Sequence, residues 1–194
     1  MTAVPEFDRL ADRVVTWQGY NPEVRCDCGS TAVLTSGGWI VFDPIPLAES
    51  AWNELLLQGP LQSIVLTSGN HQRESLTLQK ATGARIHAPA SARGEVVADC
   101  WHDEGSDIAG FALTSVPGGG PGESAWSDGE TLVIGDALIH LDGLTILPDK
   151  YCTDPRLLRK SLRGLLDLSF ERITFAHGSP LTSNAQSILR SALE

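Results

Sequence analysis

The residues able to do chemistry gather in a few short stretches. One polar run, Thr67-Ser68-Gly69-Asn70-His71-Gln72-Arg73-Glu74, directly follows the apolar segment ending at Leu66. A Gly/Pro loop spans Pro117 to Gly122, and its triple glycine has backbone N–H groups able to cradle an anion. Gly135-Asp136 and His177-Gly178 supply a carboxylate and an imidazole, each beside a glycine. Such groups can hold a cation or pass protons near neutral pH. Cys26 and Cys28 alternate along a strand-like segment, so both thiols share one face. That pair could hold a soft metal, but no second Cys/His pair follows at zinc-site spacing. Cys100 and Cys152 stand alone, and the thiols read as buried or half-buried.

These stretches need elements to position them. Arg13–Trp17, Glu23–Cys28, Thr31–Ser36 and Trp39–Phe42 read as strands rich in Val, Thr, Ile and Trp. Asn21-Pro22, Gly29-Ser30 and Gly37-Gly38 read as the turns between them. The period then changes. Leu47, Ala51, Trp52, Leu55 and Leu56 recur at helical spacing until Gly59-Pro60. Ser63–Leu66 suits a buried strand, a helix runs from about Arg73 to Ala81 and stops at Gly83, and Ala84–His87 is a further strand. This βαβαβ alternation predicts a layered α/β fold.

Strands follow at Phe111–Val116, Thr131–Ile134, Ala137–Leu141 and Gly143–Leu147. Asp154-Pro155 opens a helix with a core stripe of Leu158, Leu162, Leu165 and Leu166, since Asp caps free N–H groups and Pro suits the first helical position. Ile173–Ala176 is a last strand, and Ser183 caps a final helix. Strands then helices, twice over, predict two sheets face to face with helices outside. In such folds ligands gather where strands end, and the polar stretches fall at those ends.

The order and spacing resemble the metallo-β-lactamase superfamily over nearly the whole chain. Phe42-Asp43-Pro44 resembles the turn closing that family's opening hairpin. Leu66-Thr67 and its polar loop resemble the strand before T-H-x-H-x-D-H, and Val116 to Gly122 resembles T-P-G-H-T-P-G. Gly135-Asp136 resembles the G-D that bridges two metals, and Phe175-Ala176-His177-Gly178-Ser179-Pro180 the closing G-H-G-x-P. The resemblance implies one domain over residues 1–194, an α/β metallo-β-lactamase-like four-layer αββα sandwich. It also implies a hydrolytic cleft in which paired cations acidify a water.

At the metal positions the resemblance thins. Ser68 and Asn70 stand where H-x-H is expected, Gln72 and Arg73 where Asp-His is expected, and Gly119 in place of the T-P-G-H histidine. Asp136 and His177 remain. Two protein ligands fall short of the three or four that zinc sites use. His71 or Glu74 enters only through a slipped register, which turns the side chain away. The expectation is therefore a cleft without a cofactor, the alternative being one weakly bound divalent metal such as zinc.

Two functions follow. One is a fold retained for binding a small molecule or a partner, with the cleft lined by Ser68, Asn70, His71, Gln72, Glu74 and Gly119. The other is a divergent hydrolase of esters, thioesters or phosphodiesters using one metal or none. In that reading His177 is the base, Asp136 orients it, and Arg73 stabilises an oxyanion. Arg73 is further expected to pair with Asp136, supplying the charge of a missing cation.

The bulk properties narrow the partners. At 194 residues with net charge −10, the chain lacks the clustered cations that nucleic acid or an anionic membrane requires. No apolar run approaches the ~20 residues that span a bilayer. The N-terminal residues lack a secretory apolar stretch, so the expected compartment is the cytoplasm. A homodimer is compatible with these properties.

Overall fold

A computed structural model covers residues 1–194. Strands β1 (Asp8–Ala11), β2 (Val14–Asn21), β3 (Cys26–Thr35), β4 (Gly38–Phe42), β5 (Leu61–Val65), β6 (Arg85–Pro89) and β7 (Cys100–His102) form one sheet in chain order. β1 to β4 pair antiparallel through short connections, whereas β4 to β7 pair parallel. Parallel pairing needs crossovers, and helices α1 (Glu49–Leu56) and α2 (Ser75–Thr82) supply the first two.

The second sheet contains β8 (Asp107–Ile108), β9 (Phe111–Ser115), β10 (Ser124–Ser127) and β11 (Thr131–Ile134). A small hairpin, β12 (Leu138–His140) and β13 (Leu144–Ile146), and helix α3 (Pro155–Gly164) come next in the chain. Strand β14 (Arg172–Phe175) then joins the second sheet parallel to β11, and helix α4 (Ala185–Ala192) ends the chain.

Side-chain alternation builds the layers. In β4, Trp39 and Val41 join a core with Ala51 and Leu55 of α1, while Ile40 and Phe42 face the other way. In β11, Val133 meets Ile40 and Phe42 between the sheets, while Leu132 and Ile134 pack on Leu158 and Leu162 of α3 and Leu189 of α4. Three apolar interfaces therefore separate four layers, α-β-β-α, as the sequence predicts. Inside the first core the indole N–H groups are satisfied: Trp17 Nε1 donates to Ile45 O at 3.1 Å and Trp39 Nε1 to Leu55 O at 2.7 Å.

Some expectations change. Gly29-Ser30 is no turn; β3 runs straight through it. Glycine is needed there because a Cβ would lie 2.7 Å from Phe175 O, where β3 crosses the end of β14. β1, β7 and β10 (DRLA, CWH and SAWS) lack a β-branched run, so their strand signal is weak. Ser183 does not cap the last helix; Asn184 precedes it at φ 52 with no side-chain cap bond.

The Pro117–Gly122 loop is tied to the start of α3 rather than slack. Asp154 N donates to Gly118 O and Thr153 N to Gly119 O. Asp154 in turn accepts from Arg156 N and Leu157 N, both at 3.0 Å. Gly118 sits at φ +104, and a Cβ there would lie 2.3 Å from Leu158 N. Asp154→Ala should therefore lower stability by about 1 kcal/mol, the typical value of a lost cap, seen as a shift in the urea midpoint with unchanged slope. Gly118→Ala should cost more, because it adds a backbone collision to an unfavourable φ. Equal effects in the two variants would contradict this account of the loop.

Candidate metal centre

Five strand ends meet at one edge of the sandwich. β4 leads to Asp43, β5 leads into Thr67 to Arg73, β11 leads to Asp136, β14 leads to His177, and β3 begins at Cys26. Asp43 lies at φ 48 and is buried. Its carboxylate accepts from Thr67 N at 2.8 Å, from Thr67 Oγ1, and faces His71 Nδ1 at 3.0 Å. That contact fixes the imidazole. Its other nitrogen, Nε2, lies 3.0 Å from Asp136 Oδ1, and His177 Nε2 lies 3.1 Å from the same oxygen. His177 Nδ1 faces Asp27 O at 2.8 Å, and Asn70 Nδ2 donates to Asp136 Oδ2 at 3.3 Å.

Two Nε2 atoms thus converge on one carboxylate oxygen, and each Nδ1 is anchored by an acceptor behind it. The ligating atoms of His71, Asp136 and His177 all lie within 4.8 Å of one another. The electrostatics reflect this convergence. Burial, with the Arg73 charge, works against a charged His71, but Asp43 and Asp136 outweigh both and push it up to about 10. Burial likewise opposes a charged His177, yet the Asp136 bond and a Cys28 contact raise it to about 10. Burial would lift Asp43 and Asp136, but the adjacent imidazoles hold Asp136 well below the usual carboxylate range and, with Arg73 and Thr67, lower Asp43.

Glu123 is a site residue that sequence reasoning misses. It is buried beneath the glycine loop, Oε1 accepts from Ala137 N at 3.0 Å, and Oε2 has no partner. Burial and the Asp136 charge push it up to about 8. The glycine of Gly135-Asp136 makes room for it, since a Cβ there would lie 2.6 Å from both Glu123 Oε1 and Thr67 Oγ1. Asp43 is missed as well, being legible only as a turn residue. The family-like Phe42-Asp43-Pro44 turn is the one sequence signal that pointed near it.

Several expected placements need correction. Arg73 does not pair with Asp136. It adopts φ 37, and its guanidinium donates to Gly29 O, Asp43 O and Ala176 O, clipping three strand ends together. Its donors engaged in this way, it is a poor oxyanion stabiliser. His71, expected to turn away, faces Asp136 together with His177. The residues after Val65 form bends and turns, so strand alternation does not set their direction.

Of the other cleft-lining candidates, Asn70 reaches Asp136. Ser68 is buried beside it, with Oγ directed at Pro121 O at 3.4 Å. Gln72 is pinned instead to the backbone of Val97. Glu74 starts α2 and lines a groove between α1 and α2, away from Asp136. Gly119 is buried, and its carbonyl accepts from Thr153.

No helix is long and apolar enough to cross a membrane. Comparison with curated protein sequences gives no match. Solved structures match along almost the whole chain. A DIM-1 metallo-beta-lactamase exposed to ceftazidime superposes with TM-score 0.77 at 13% identity, covering 99% of this chain and 98% of that one. A metallo-beta-lactamase from Hirschia baltica gives 0.74 at 16% identity, covering 99% and 97%. TTHA1623, in a di-iron-bound form, gives 0.70 at 21% identity, covering 91% and 98%.

A metal-bound neighbour of this fold, together with three converging ligand groups here, overturns the expectation of a cofactor-free cleft. The count of two ligands left out His71. A family model for the metallo-beta-lactamase superfamily matches residues 9–191, and the chain belongs to that superfamily.

Proposed function

We propose that this protein is a hydrolase of uncharged acyl compounds, esters or thioesters, working with a single divalent cation held by His71, Asp136 and His177. The observation that carries this reading is the convergence of two anchored Nε2 atoms on Asp136 Oδ1. Two imidazoles and a carboxylate match the donor set of three-ligand catalytic centres, which keep a coordination position open. The residues fit the group in a second way. Without a cation, each ring faces acceptors through both nitrogens and so holds two protons. A dication held by His71, Asp136 and His177 would replace the charge of the two Nε2 protons. When bound, it would supply an acidified water and polarise the acyl oxygen.

The chain's own residues set up that chemistry. To hold a cation both rings would give up the Nε2 proton, keeping Nδ1–H on the Asp43 carboxylate and on Asp27 O. Such outer partners orient the ligands and raise their basicity. The Asn70 amide restrains the free oxygen of Asp136, and Glu123 positions the Asp136 segment through Ala137 N. Substrate charge follows from the lining. Arg73 is the fixed cation among these residues, and three carbonyls engage it, so a phosphodiester would meet Asp136 without a free counter-charge. Ser68, Asn70 and Gly119, at positions that bind a first cation in the resembling motifs, favour one ion over two. The four cysteines are free, which suits the reducing cytoplasm as the place of action.

Titration of chelator-treated protein with Mn2+, a hard ion that thiols do not select, should show one equivalent bound at the cleft. His71→Ala should abolish that binding, and Asp43→Asn should weaken it by about 10- to 100-fold. Ester or thioester turnover should require the cation and vanish in His177→Ala. Mn2+ binding that ignores His71→Ala, or turnover equal in wild type and His177→Ala, would overturn the assignment.

Proton linkage gives a second expected outcome for the metal-free protein. Glu123, His71 and His177 all have raised folded values, so their stabilisation is present at low pH and fades as pH rises: from 4.5 through about 8 for Glu123, and from 6.5 through about 10 for the histidines. Asp43 and Asp136 act oppositely and lose theirs only as pH falls below 3.8. Thermal stability should therefore peak on the acid side of neutrality and decline toward pH 10. Glu123→Gln mimics the protonated acid, so it should match wild type at pH 5 and exceed it at pH 9. Unfolding scans with chelator present check this, and a Gln variant less stable at both pH values would refute it.

A further inference from the structure

The hydrolytic reading leaves two thiols unused at the rim of the same edge. Cys26 and Cys28 lie two residues apart on β3, and the fold brings His177 to them from the far end of the chain. Cys26 Sγ lies 3.4 Å from His177 Nδ1, and the ligating atoms of Cys26, Cys28 and His177 all lie within 4.8 Å of one another. The second Cys/His element missing from the local sequence is thus supplied in space. Cys28 is buried and Cys26 half-buried, so the thiols have a path to solvent on one side and protein on the other.

We infer that Cys26, Cys28 and His177 form a second cation site, for a soft thiophilic ion of the Zn2+ or Cu+ kind, which shares His177 with the cleft. Two sulfurs and an imidazole are the donors such ions select, whereas the oxygen-bearing cleft set also accepts harder ions. The shared ring decides between them. With its proton on Nδ1, His177 donates to Asp27 O and offers Nε2 to the cleft. With its proton on Nε2, it donates to Asp136 Oδ1 and offers Nδ1 to the thiols. In that second tautomer Asp136 becomes the carboxylate behind a metal-bound imidazole, an arrangement common in thiol and imidazole sites. Neutral His177 has one free lone pair, so filling the thiol site takes it away from the cleft. Binding expels the thiol protons and the Nδ1 proton, so affinity rises with pH.

Alkylation of the reduced wild-type protein, mapped by mass spectrometry, tests the site directly. One equivalent of Cu+ or Zn2+ should slow modification of Cys26 and Cys28 by about tenfold or more, with Cys100 and Cys152 unchanged as internal references. The same protection should persist in His71→Ala, where the cleft set is broken, so failure of the hydrolytic reading would leave this result intact. Co2+ should give a sulfur-to-metal charge-transfer absorption that is lost in Cys26→Ser and Cys28→Ser, while one cleft equivalent still binds. Equal alkylation with and without metal, or an absorption unchanged in both serine variants, would overturn the site.

Discussion

The line Asp43–His71–Asp136–His177 is the interaction on which the rest of this edge depends. It alternates negative and positive groups across two sheets: Asp43 follows a strand of the first, and Asp136 and His177 follow strands of the second. Charges buried this deeply persist only when each has a partner, and removing one member of such a pair typically costs about 3–5 kcal/mol. The line therefore acts as a cross-sheet clasp as well as a candidate ligand set. Stability and site geometry are held by the same bonds, and the positive φ at Asp43 is the local strain that the clasp sustains.

Close approach of backbones makes that clasp possible. Gly29 lets β3 lie against Phe175 O, Gly135 lets Glu123 reach Ala137 N, and Gly178 turns at φ +95 against His140 O. A side chain at any of these positions would push apart the strand ends that carry Cys28, Asp136 and His177. Arg73 completes the closure from the other side. Its guanidinium spends its donors on carbonyls of three segments, so its charge is structural in geometry while still lowering Asp43. An arginine thus joins the strands around the site, and the imidazoles neutralise Asp136.

Much of the fold was legible because apolar periodicity reports burial directly. The alternation of Trp39, Ile40, Val41 and Phe42 translates into two cores on two faces. Asp136 and His177 were legible as residues just past strand ends. His71 was not, because alternation holds only while the backbone stays extended, and the chain leaves β5 at Val65. His71 then sits in a turn with its N–H on Ser68 O, and its direction is set by Asp43, 28 residues earlier. Glu123 was hidden for a related reason. A Gly/Pro loop gives no sign of an inward carboxyl, since the pocket that receives it is made by Gly135 and Thr67.

His177 ties the two possible ion positions into one problem. An imidazole has two nitrogens but, when neutral, one lone pair, and here both nitrogens face useful neighbours: Asp136 on one side, Asp27 O and Cys26 on the other. Whichever nitrogen keeps the proton sets which set of donors is complete. A hard oxygen-tolerant ion in the cleft favours the proton on Nδ1; a soft ion at the thiols favours it on Nε2. The selectivity of this edge then lies less in the number of ligands than in a single proton's position, and the two acceptors that compete for it, a carboxylate and a peptide carbonyl, are both fixed by the fold.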